Sequence, residues 1–133
     1  MKLMKNGSIL LIGFLFAVLA LQCGDKHYIE YEKERFIYKD SLETLAEQLD
    51  HKIAQLRGRV EAVESDDELQ TALKEEINDL ELLQERFNQA IGRVEEVGIT
   101  EWEKTKIHAD NLMMEFEEEI SRINQEYSLE SSE

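Results

Sequence analysis

Trp102-Glu-Lys-Thr-Lys-Ile-His-Ala-Asp-Asn-Leu-Met-Met-Glu-Phe-Glu-Glu-Glu-Ile-Ser-Arg-Ile-Asn-Gln-Glu-Tyr127 is the stretch on which the fold turns. Within it Trp102, Lys106, Ala109, Met113, Phe116, Ile120, Ile123 and Tyr127 recur strictly four then three residues apart. At about 3.6 residues per turn, that spacing gathers them on one face of a helix. Lys106 is the polar member of the stripe. It is expected to pair with a carboxylate or fix register, or equally to snorkel to the surface. Trp102 and the Met113/Met114 pair read as core filling. Ser128-Leu-Glu-Ser-Ser-Glu133 reads as a polar, frayed tail.

Working upstream, a second stripe runs Leu69, Leu73, Ile77, Leu80, Leu83, Phe87, Ile91, Val94 and Val97. Gly98 is placed to end that helix in a left-handed conformation, and Thr100 with Glu103 has capping-box spacing for the next. A first stripe runs Tyr28, Tyr31, Arg35, Tyr38, Leu42, Leu45 and Leu49, then drifts to Ile53, Leu56, Val60 and Val63. Past Val63 the face lapses in Glu64-Ser-Asp-Asp-Glu68, where Ser65 and Glu68 again have capping-box spacing. The spacing predicts helices over about 28–64, 66–97 and 101–127. The chain has no proline, so little interrupts them. Short connections reverse direction at each joint. The expected fold is all-α: an antiparallel three-helix bundle with coiled-coil character.

The first twenty-odd residues differ in kind. Met1, Lys2 and Lys5 precede the apolar run from Ser8 to Leu21, which stops at Gln22-Cys-Gly-Asp25. The run is shorter than the roughly 20 apolar residues a membrane span needs, and suits the core of an export signal over 1–22. Cys23 is the only cysteine, so no internal disulfide can form. Its place directly after the run marks it for covalent modification. Leu19-Ala-Leu-Gln-Cys23 resembles the lipobox of bacterial lipoproteins, with Gln22 where most carry Gly, Ala or Ser and Ala20 where Leu is usual. The resemblance covers only this segment. It implies that Cys23 carries palmitate-class acyl chains, becomes the mature N-terminus, and leaves 23–27 as a tether. Gly24 follows the cysteine and Asp25 comes one place later, which leans towards the outer membrane. The competing reading is cleavage after Val18-Leu-Ala20, giving a soluble periplasmic protein.

From residue 23 onward, 13 basic residues face 30 acidic ones. That balance argues against nucleic acid and against lying flat on anionic lipid. Gly58-Arg-Val-Glu-Ala-Val63 echoes in Gly92-Arg-Val-Glu-Glu-Val97, an offset that carries no functional reading. Tyr38 to Leu56, Leu69 to Val97 and Trp102-Glu-Lys-Thr-Lys106 together are similar to a loose group of small bacterial coiled-coil proteins often labelled stress-response proteins. The resemblance implies an association with stress rather than an activity.

No catalytic set emerges. The residues three before His51 and His108 are Gln48 and Thr105, not the Glu of a di-iron bundle. Both histidines fall on the solvent side of their stripes. The acidic runs 64–68 and 115–119 lack calcium-loop spacing and read as solvated faces. No cofactor or metal is expected, and the chain does not read as an enzyme. The expectation is a membrane-tethered structural or interaction protein of the cell envelope, partnered by another protein or by itself. Tyr28, Tyr31, Phe36 and Tyr38, with Trp102 second, form its candidate interaction surface; rings that merely cap the bundle are the plainer reading. The alternative is a periplasmic carrier or chaperone-like module for apolar ligands or unfolded chains.

Overall fold

The computed structural model describes residues 2–129 along the backbone, and side chains for residue 26 and residues 28–129. Three helices follow in order: α1 (Lys2–Ala62), α2 (Asp67–Glu96) and α3 (Trp102–Glu126), with a single 3-10 turn at Ile99–Glu101 before α3. No strand occurs among the described residues. The chain divides into two units, Met1–Glu34 and Arg35–Glu133. Residue 1 and the side chains of the export segment expected at 1–22, with that of Cys23, lie outside the described residues.

In the second unit the helices form an all-α three-helix bundle. Cross-helix pairs establish its directions. Along α1 and α2, Arg35 meets Glu95, Asp50 meets Gln84, and Arg57 meets Glu81, so numbers rise on one helix as they fall on the other. The same holds for α2 and α3, where Arg86 meets Glu115 and Glu76 meets Arg122. Between α1 and α3 the offset is constant: Tyr38–Asp110 and Lys52–Asn124 both span 72 residues. Up, down, up is therefore the topology.

The core is built from the stripes, with shifts that matter. Leu42, Leu49, Ile53 and Leu56 of α1 are buried; so are Leu73, Ile77, Leu80, Leu83, Phe87, Ala90 and Val94 of α2, and Trp102, Ala109, Leu112, Phe116 and Ile123 of α3. Phe87 and Phe116 meet edge to face across α2 and α3, centroids 6.0 Å apart. Leu112 is fully buried beside a half-buried Met113, and Ala90 is buried beside a half-buried Ile91. Each helix touches two neighbours, so its buried stripe is wider than the single row of a two-stranded seam.

The helix ends depart from expectation. Asp66, not Ser65, caps α2: its side chain accepts from the Leu69 N–H at 3.1 Å. The acidic start of α2 (Asp67, Glu68) also suits the positive end of the helix dipole. Gly98 is not left-handed. Its φ is −82°, and α2 ends at an extended Val97 whose N–H donates to the Arg93 carbonyl. The 3-10 turn takes up Glu101, the first residue expected in the third helix, and α3 starts without a side-chain cap; Thr105 instead donates back to the Glu101 carbonyl at 3.1 Å. Asp66→Ala is expected to lower unfolding free energy by about 1 kcal/mol, while Ser65→Ala leaves it within about 0.5 kcal/mol. Paired urea melts check this, and equal effects at the two positions would reassign the cap.

Candidate functional surfaces

The aromatic residues singled out from the sequence are divided between the two units. In the first unit Tyr28 is 54% exposed and Tyr31 is 6% exposed, ring centroids 5.8 Å apart. In the second, Phe36 is 72% exposed, whereas Tyr38 and Trp102 are brought together edge to face at 5.5 Å with Trp102 buried. The Tyr38 hydroxyl donates to Asp110 Oδ1 at 2.8 Å. Indole, phenol and carboxylate thus form a joint between α1 and α3, with the amphipathic ring offering its flat body to the core and its polar tip to the surface. Trp102 and Tyr38 act in packing; of the second unit's members, Phe36 is the one that faces solvent.

One functional-looking group escaped the sequence reading. Lys52 is completely buried. Its Nζ donates to Asn124 Oδ1 at 2.6 Å and to Gln55 Oε1 at 2.8 Å. Burial holds its pKa below the usual lysine value, because the charged form loses solvation. The signal was present: Leu42, Leu45, Leu49, Lys52 and Leu56 keep the three–four spacing without a break. Among the described residues, every buried side-chain nitrogen and oxygen has a hydrogen-bond partner, as a stable polar core requires.

On the surface, ion pairs lace the helices. Arg122 bonds Glu76 at 2.6 Å, Glu119 at 2.8 Å and Glu126 at 2.7 Å. The bonds to Glu76 and Glu119 hold its pKa above the ordinary arginine value. Lys39 pairs with Glu95 at 2.8 Å, and that bond raises its pKa. Lys106 lies 3.4 Å from Glu103, so it pairs locally with a carboxylate on its own helix. Exposed pairs of this kind contribute little each, about 0–1 kcal/mol. Tyr127, near Glu76, titrates above its usual range, first through burial.

His51 and His108 are both exposed. Among the described residues no three His, Cys, Asp or Glu side chains are grouped to hold a metal ion, and no helix is long and apolar enough to cross a membrane. A shallow groove of about 490 Å³ separates α1 from α2, walled by Asp50, Arg57, Glu81, Gln84 and Glu85 with Ala54 and Leu82. It continues along Glu43, Glu47 and Asn88. Its walls are polar, and nothing in them converges on a reacting atom. No family model, curated protein or solved structure matches this chain.

Proposed function

We propose that the chain is a lipid-tethered structural or interaction protein of the bacterial cell envelope, associated with stress and without catalytic activity. The observation that carries this is the position of Cys23, directly after a short apolar run and ahead of a strongly acidic helical chain. One acyl chain holds a protein to a bilayer weakly, at about 0.8 kcal/mol per buried methylene; two or more hold it firmly. The bundle itself favours a scaffold over a carrier. Its interior is packed mainly with Leu, Ile and Phe side chains around the hydrogen-bonded Lys52, its helices are cross-linked by ion pairs, and the groove beside α2 is walled by carboxylates and amides.

The test is mass spectrometry of the native N-terminus, with membrane fractionation, for wild type and Cys23→Ser. A diacylglyceryl mass on Cys23, lost in the variant together with membrane association, is the expected result. An unmodified thiol after cleavage at Ala20 would remove the anchor and bring the soluble periplasmic reading forward.

A further inference from the structure

The two ends of the bundle differ in charge, a difference that the sequence alone scatters along the chain. The Arg86–Glu115 bridge lies near mid-height. On one side of it are residues 35–46 and 86–114: the start of this unit's α1, the end of α2, the α2–α3 connection and the first half of α3. Those segments hold six basic and seven acidic residues. On the other side, residues 47–85 and 115–129 hold five basic and seventeen acidic. One end is nearly neutral, with both signs interspersed. The other is strongly negative.

Exposed apolar side chains follow the same division. Phe36, Ile37, Ile99, Ile107 and Met114 are between 43% and 72% exposed, and all belong to the neutral end. Leu82 is the one large exposed apolar residue among the described residues of the acidic end. Ile107 and Met114 are two turns apart, so they share the outward face of α3. Ile37 adjoins Tyr38, which reaches Asp110 and Trp102, so it stands level with Ile107. Exposed apolar groups concentrated towards one end of the bundle mark a contact surface.

We propose that this neutral end is the interface through which two copies of the chain pair. An interface related by a two-fold axis must be complementary to itself. The neutral end meets that condition, because Arg35, Lys39, Lys104 and Lys106 stand among Glu95, Glu101 and Glu103, around apolar side chains. The acidic end fails it, since two copies would bring carboxylate against carboxylate. In one respect the pairing rests on the proposed anchor: copies tethered in one leaflet meet at high effective concentration.

The test places one cysteine at a time in the full-length chain in its native membranes, Ile107→Cys or Leu82→Cys, and adds a short bis-maleimide. The wild-type chain, carrying Cys23 alone, is the blank. Ile107→Cys is expected to give a dimer-sized band and Leu82→Cys only the level of the blank. Adding Phe36→Asp to Ile107→Cys cuts the dimer yield about tenfold, equivalent to about 1.4 kcal/mol of pairing energy. Equal yields at 82 and 107, no dimer at 107, or a cross-link from 107 to a protein of another mass would each overturn the proposal. The same reaction on Ile107→Cys with Cys23→Ser separates the two readings. A dimer that persists there, at higher protein concentration, supports the interface even where membrane fractionation has failed the anchor.

Discussion

Phe87→Ala is expected to lower the unfolding free energy by about 3–5 kcal/mol, the usual cost of emptying a buried aromatic site. Phe87 is fully buried in α2, and its ring meets Phe116 of α3 edge to face. The variant loses both the transfer energy of the ring and the contacts it made, and Phe116 faces the resulting void. For a bundle of this size each kcal/mol moves the thermal midpoint by about 4–8 °C, so a drop of about 20 °C is anticipated. Leu82→Ala is the matched control: the side chain is exposed, and its loss stays within about 0.5 kcal/mol. Thermal unfolding followed by far-ultraviolet circular dichroism reads both. A loss below about 1 kcal/mol at Phe87 would mean that the α2–α3 rings are not packed as described.

Lys52→Met moves stability the other way, upward by about 1–3 kcal/mol. Methionine matches the length and flexibility of the lysine stem and removes the desolvated charge. The Gln55 and Asn124 amides lose little. Asn124 is half-buried and Gln55 exposed, so both amides can turn to water. Asn124→Ala is expected to destabilise by about 1–3 kcal/mol, because it removes a 2.6 Å bond to an ammonium that stays buried. The pH dependence identifies the charge as the cause. The folded-state pKa of Lys52 lies below its ordinary value of 10.5. Between those two values the unfolded chain binds more protons than the native one, so wild-type stability gains from this group as pH rises. The advantage of Lys52→Met is therefore full at neutral pH and shrinks as pH climbs towards 10.5. Lys39 and Tyr127, raised in the fold, lose their contributions as pH rises through their folded values, but both chains carry them and the difference cancels. Chemical melts of both proteins across the alkaline range provide the reading; a difference independent of pH would place the effect in packing alone.

The cost of that gain is specificity. A polar group at one core position stabilises the register in which its partner lies opposite, and penalises shifts that leave it facing Leu or Ile. Lys52 meets Asn124 only when α1 and α3 run parallel at the observed offset. A Lys52→Met bundle is thus expected to melt higher while holding α3 in a less unique register.

How far the chain could be read in advance depended on how local each feature is. Helix and stripe are local: side chains three and four apart share a face whatever else the chain does, so the three stripes, the lapse after Val63 and the all-α class were determined by the sequence. The cap of α2 was nearly so. Asp66 and Ser65 are neighbours with the same capacity to accept an N–H, and the one-residue choice was made by where the first turn closed. Gly98 was misread because glycine permits a left-handed end without requiring one, and the 3-10 turn supplied another way to begin α3.

Other features had no local source. Burial of Lys52 required α3 to lay Asn124 against it, 72 residues away. Tyr38 and Trp102 became a joint, and Phe36 a surface group, once the side of α1 that α3 occupies was set. The neutral and acidic ends exist because antiparallel packing stacks 35–46 on 86–114 and 47–85 on 115–129. Charge along a sequence is only a list, and folding turns it into a field by bringing distant segments to the same height. Composition therefore determined that this protein is acidic, and the spacing of its apolar residues that it is helical. Only the packing of its helices decided where opposite charges nearly cancel and where they do not.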